Sequence, residues 1–77
     1  PDGRVIMISG ANRGIGRAVA VTLYDAGYSL SLGARDPASF ADMISGWAPD
    51  RVLTGRYDAE NKESHRQWVA DTVAKFD

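Results

Sequence analysis

Three short stretches of this chain carry residue types and spacings that could do chemistry. The first, SGANRGIGRAVA (Ser9 to Ala20), spaces Gly10, Gly14 and Gly16 as G-x-x-x-G-x-G. Gly10 allows a tight turn, Gly14 lets backbone approach a pyrophosphate, and Gly16 lets a following helix pack closely. A helix that starts there offers unpaired N–H groups and a partial positive charge to phosphates. The second stretch, GARDP (Gly33 to Pro37), sets Arg35 nineteen and Asp36 twenty positions past Gly16. Dinucleotide folds place the residue that reads the ribose about 20 positions past the third glycine, so counting alone does not separate the two. The third, YDAEN (Tyr57 to Asn61), brings a carboxylate and an amide together. The first two suggest binding of a dinucleotide rather than the breaking of bonds.

Other chemistries find little support. The chain has no cysteine, which excludes disulfides, thiol catalysis and cysteine-held metals. Its one histidine, His65, cannot form a histidine metal site alone and reads as a partly exposed helix residue. Nine basic residues face ten acidic ones without a basic run, so no nucleic acid or anionic membrane partner is implied. Trp47 and Trp68 stand in no basic patch and read as core or interface groups. No apolar stretch approaches the roughly 20 residues of a membrane span, and no signal peptide opens the chain. A soluble, cytoplasmic protein is expected.

The elements that would position these residues can be read from periodicity. RVIMIS (Arg4 to Ser9) is a short apolar run suited to a strand buried on both faces. The spacing predicts a helix from about Arg13 to Ala26, with Ile15, Ala18, Val19, Thr22, Leu23 and Ala26 on one face, ended by Gly27 as C′ residue. YSLSLGA (Tyr28 to Ala34) reads as a second strand whose weaker apolar character predicts greater exposure. Phe40, Met43, Ile44 and Trp47 predict a short amphipathic helix, which GWAPD breaks. RVLTGRY (Arg51 to Tyr57) supplies a third strand. Asn61 to Phe76 is helical, with Trp68, Val69, Thr72, Val73 and Phe76 as its stripe.

The β-α-β-α-β-α alternation implies parallel strands joined by right-handed crossovers. The predicted fold class is α/β: the first half of a Rossmann-type doubly wound parallel sheet, in strand order 3-2-1. The first two helices belong on one face and the third on the other. Strand 1, the most apolar, would then lie at an open edge, a liability that proteins usually cover. The 77 residues, which open on Pro1, are therefore expected to be the N-terminal part of a single, longer domain. The alternative is a small self-contained α/β domain, dimeric through that edge.

Local chemistry separates Arg35 from Asp36. Asp36 precedes Pro37, and an aspartate N-cap followed by proline at the first turn is a favoured helix start. Its carboxylate is then committed to the helix N–H groups. Arg35 remains free to fork onto a 2′-phosphate. Asn61 is the expected cap of the last helix, and Asp58 and Glu60 stand beside it as further capping groups.

SGANRGIGRA resembles the T-G-x-x-x-G-I-G cofactor motif of the short-chain dehydrogenases/reductases, with Ser9 for the usual threonine. The resemblance covers essentially the whole chain and implies cofactor-binding roles for Gly10, Asn12, Arg13, Gly14, Ile15, Gly16, Arg35, Asp58 and Ala59. Asp58-Ala59 falls on the family's aspartate pair after strand 3, whose aspartate bonds the adenine amino group. Arg13 resembles a second basic NADP determinant. Ala34 stands where NAD-preferring relatives carry an acid, so NADP is implied over NAD. For the intact protein the resemblance implies hydride transfer between NADP(H) and a small carbonyl or alcohol substrate, and a homo-oligomer. The family's catalytic serine, Tyr-x-x-x-Lys pair and asparagine, and its N-N-A-G segment, have no counterpart here. Tyr57 and Lys62 are five positions apart rather than four and precede the last helix. No catalytic or metal-binding residue is therefore assigned, and these 77 residues alone are expected to be inactive. The alternative is a non-catalytic dinucleotide-binding or interaction module. A Rossmann-like methyltransferase fits less well, since its loop usually carries an acid where Ser9 stands.

Overall fold

The structure is a computed structural model that describes residues 4–12 and 14–76. Its elements are β1 (Val5–Ser9), α1 (Gly14–Asp25), β2 (Ser29–Ala34), a 3-10 turn (Pro37–Phe40) that runs into α2 (Ala41–Ile44), a second 3-10 turn (Pro49–Arg51), β3 (Val52–Arg56) and α3 (Lys62–Phe76). The three strands form one parallel sheet with β2 between β1 and β3, the 3-2-1 order that the alternation predicts. Val5 pairs with Ser29 and Ser9 with Gly33 on one side of β2; Leu30 pairs with Val52 and Gly33 with Gly55 on the other.

Side chains alternate across a strand, so each face of β2 has its own partners. Leu30, Leu32 and Ala34 pack with Ala20 of α1 and with Phe40 and Met43 of the second crossover. Ser31 and Gly33 face α3 instead, where Trp68 and Thr72 cover them. The first two helices thus share one face and α3 takes the other, as expected.

Three expectations need correction. The first concerns β2, the most buried strand rather than an exposed one: Leu30, Ser31 and Leu32 are fully buried and Ala34 nearly so. Ser31 and Gly33 are not solvent-facing residues. Ser31 is fully hydrogen-bonded to α3, and Gly33 leaves room for an indole. Low hydropathy here marks close packing.

The second correction concerns α1. The stripe from Ile15 to Ala26 is not the face against the sheet: Ile15 is 85% exposed and Val19 43%. The buried line runs through Ala20, with Leu23 and Tyr24 packed beside it. The first turn of the helix lies so close to the loop that Gly16 leaves no room for a side chain. A Cβ on Gly16 would stand 2.8 Å from the Gly10 carbonyl oxygen. The end of α1 follows expectation. Gly27 takes φ +103, its N–H donates to the Tyr24 carbonyl, and the Tyr28 N–H donates to the Leu23 carbonyl. These two bonds make a Schellman motif.

The third correction concerns the second crossover, where one amphipathic helix to Trp47 was expected. α2 stops at Ile44, and Gly46 at φ +88 turns the chain before Trp47. The indole instead stacks on Tyr24, with ring centroids 4.0 Å apart and planes 4° from parallel. The Arg51 guanidinium lies 3.9 Å over the Tyr24 ring and donates to the Tyr24 and Tyr28 carbonyls. Arg51 and Tyr57, both expected within the third strand, flank β3. No helix among the described residues is long and apolar enough to cross a membrane.

Candidate dinucleotide site

The carboxyl ends of the three strands open on one side into a cleft of about 580 Å³. Ligands of open α/β sheets bind at such strand ends. Ser9, Gly10 and Asn12 line it from β1 and its loop, Gly33 to Asp36 from the end of β2, and Tyr57 and Ala59 from the end of β3.

The glycine loop is built as its spacing predicts. Gly10 and Gly14 adopt φ +69 and +64, a left-handed conformation that residues with a Cβ rarely accept. The Gly10 N–H donates to the Gly33 carbonyl (3.0 Å), carrying the β1–β2 pairing one step into the loop. Because Gly16 lacks a Cβ, the start of α1 presses against Gly10 and Ala11. A Cβ there would push the helix N-terminus away from the turn. This close, side-chain-free approach of helix start to strand end fits a dinucleotide pyrophosphate. Arg13 lies outside the described residues.

At the second strand end, Asp36 takes the capping role expected of it. Asp36 is the N-cap of the 3-10 turn: its Oδ1 accepts the Ala38 N–H at 3.1 Å, and Pro37 opens the turn. Arg35 has a side chain 78% exposed, and its Nε lies 4.0 Å from Asp58 Oδ1. An ion pair so long and so exposed is worth well under ~1 kcal/mol.

At the third strand end, Asn61 Oδ1 accepts the Glu63 and Ser64 N–H groups and so caps α3. Asp58 does not cap it. Its Oδ1 accepts the Glu60 N–H, while its own N–H donates to Ser64 Oγ, which fixes the carboxylate beside Ala59. His65 is exposed on α3, edge-on to Tyr57.

Of the nine residues read from the sequence, Gly10, Asn12, Arg35 and Ala59 line one cleft. Asp58 borders it through Arg35. Gly14 and Gly16 shape the helix start behind it, while Ile15 projects into solvent from the first turn of α1. Sequence reasoning passed over Gly33 and Tyr57. Each sits at a strand's carboxyl end, and that placement was the available signal.

A parallel sheet in this order, with a glycine turn into a helix and a cleft at the strand ends, defines the nucleotide-binding half of a doubly wound α/β domain. The comparisons with known proteins narrow this further. The family model for short chain dehydrogenases matches residues 4–77. The chain belongs to that family of oxidoreductases. It is 42% identical over 74 residues to an agropine synthesis reductase of Rhizobium rhizogenes, which covers 94% of this chain and 16% of the reductase. Among solved structures, a short-chain dehydrogenase/reductase (glucose/ribitol dehydrogenase) of Brucella melitensis superposes with a TM-score of 0.88 at 29% identity, over 96% of this chain and 32% of that one. An alcohol dehydrogenase of the archaeon Thermococcus sibiricus, complexed with 5-hydroxy-NADP, superposes with a TM-score of 0.84 at 30% identity, over 95% of this chain and 32% of that one. The chain thus spans about a sixth of the reductase and a third of each solved structure.

Proposed function

We propose that the intact protein transfers a hydride between NADP(H) and a carbonyl or alcohol substrate, and that this chain holds the cofactor. When bound, the nicotinamide carries the hydride. The residues of this chain bind and orient: the Gly10–Gly16 turn receives the pyrophosphate, and Asp58 with Ala59 meets the adenine edge. Arg35 takes the 2′-phosphate. The observation that carries this reading is the division of labour in GARDP. Asp36 is committed to the backbone of its own turn, so the neighbouring group free to meet the ribose is a cation. The relative complexed with 5-hydroxy-NADP supports the same choice.

Each charge-assisted contact is typically worth ~1.5–3 kcal/mol. Replacing Arg35 by alanine in the intact protein should weaken NADPH binding by roughly ten- to a hundredfold and leave NADH binding nearly unchanged. Fluorescence titration with both cofactors measures this. Equal losses for the two would refute the phosphate role.

A further inference from the structure

We infer that Tyr57 is the stacking wall of the adenine subsite, held in place from behind by Trp68 and His65. The inference rests on the dinucleotide reading above and assigns a residue that reading leaves idle. Tyr57 directly follows β3, and its backbone N–H donates to the Ala34 carbonyl at 2.8 Å. That bond ties it to the residue before Arg35. A purine shares its ribose with the 2′-phosphate that Arg35 would bind. The purine would therefore lie one sugar away from Arg35, and the bond to Ala34 brings Tyr57 to that neighbourhood.

The ring is fixed from the α3 side. Its centroid lies 5.0 Å from that of Trp68, at a tilt of 41°, and 5.8 Å from that of His65, edge to face. Trp68 cannot readily shift: its Nε1–H donates to the buried Ser31 hydroxyl, and its indole lies against Gly33 and Gly55. Tyr57 also lines the cleft at the strand ends, beside Ala34, Arg35 and Ala59. Tyr57 is the one aromatic ring in that lining among the described residues. The rest offer hydroxyl, amide, charge, a single methyl or bare backbone. A purine needs a flat apolar surface, and a ring already immobilised loses little freedom when a base stacks on it.

The test uses the intact protein and two variants, Tyr57→Phe, which keeps the ring, and Tyr57→Leu, which removes it. Each is titrated with NADPH, with 2′,5′-ADP as the adenosine half alone, and with reduced nicotinamide mononucleotide as the other half. The leucine variant should bind NADPH and 2′,5′-ADP roughly ten- to a hundredfold more weakly. The phenylalanine variant should stay within about twofold of wild type, and the mononucleotide should bind all three alike. Upfield ring-current shifts of the adenine protons should appear with wild type and the phenylalanine variant and vanish with leucine. Undiminished 2′,5′-ADP binding by the leucine variant would overturn the inference, as would an equal loss of both halves or a loss in the phenylalanine variant. If wild type bound neither NADPH nor 2′,5′-ADP, the dinucleotide reading itself would fall, and this inference with it.

Discussion

The two faces of β2 are packed on different principles. Toward α1 and α2, Leu30 and Leu32 meet Phe40, Met43 and Val52 in an apolar layer with no directional bonds. Toward α3, the same strand offers Ser31 and Gly33, and the layer is one of fitted shape and hydrogen bonds. The Trp68 Nε1–H donates to Ser31 Oγ at 2.8 Å, and the Thr72 hydroxyl donates to the Trp68 carbonyl at 2.8 Å. Thr72 has only one proton and has given it away, so Ser31 must be the donor in the 2.6 Å bond between the two hydroxyls. The result is a closed circuit from indole to serine to threonine and back to tryptophan. Bulk fills one face, and geometry specifies the other. Both faces reach the cleft, the apolar one through Ala34 and the geometric one through Gly33 and Tyr57.

The largest expected effect tests that contrast. Apolar layers tolerate volume-conserving exchange, so Leu32→Met should cost less than ~1.5 kcal/mol. Trp68→Ala should cost ~3–5 kcal/mol from lost volume alone. Trp68→Phe is the sharper comparison. It keeps an aromatic ring but leaves the buried Ser31 hydroxyl without its donor, at ~1–3 kcal/mol in addition to the lost packing. Urea unfolding midpoints compare them. Equal losses for Leu32→Met and Trp68→Phe would show that the two faces do not differ in kind.

A smaller effect probes shape without chemistry. Gly33 and Gly55 are register partners on adjacent strands and together form the groove beneath the indole. A Cβ on Gly55 would stand 2.7 Å from Trp68 Cδ1, and one on Gly33 2.8 Å from Cζ2. Such overpacking typically costs ~1–3 kcal/mol, so Gly55→Ala should destabilise by that much. In a Trp68→Ala background the added methyl meets empty space, and the penalty should disappear. A double-mutant cycle measures the coupling. An unchanged penalty would place its origin in the strand backbone.

These two faces also explain what was legible in the sequence. Strand order and helix sides followed from element alternation and handedness, which need no side-chain detail. The glycine turn was legible because its left-handed backbone favours glycine, and the Asp36 and Asn61 caps because each is a local bond between neighbours in sequence. The exposure expected of β2 failed because hydropathy scores Ser31 and Gly33 as polar or neutral. Their burial depends on Trp68, which lies 37 residues from Ser31 in the chain. The stripe on α1 misled for the complementary reason. Apolar spacing marks residues that can be buried, but the distance between helix and sheet selects Gly16 and Ala20 for the contact. Trp47 kept helical spacing after the helix had ended. Tyr57 has only the wrong spacing to Lys62 to mark it in the sequence, and its ring contacts come from α3, eight and eleven residues further on.

The smallest expected effect concerns Asp36, which begins the crossover that covers the apolar face. Removing an N-cap carboxylate typically costs ~1 kcal/mol, whereas asparagine caps nearly as well as aspartate. Asp36→Ala should therefore lower stability by about 1 kcal/mol, and Asp36→Asn should restore most of it. The loss should be a property of the cap alone: the 3-10 turn is also held by the Ser39 hydroxyl and N–H, both of which donate to the Asp36 carbonyl, and these bonds survive in either variant. Phe40 should stay buried, so the apolar layer should keep its order while its edge loosens. Cofactor titrations of the same variants decide the other half of the question. A cap has no ribose to lose, so NADH should bind the alanine variant as it binds wild type. If stability held while NADH binding fell, Asp36 would be a ribose-reading acid, and the assignment of Arg35 to the 2′-phosphate would fail with it.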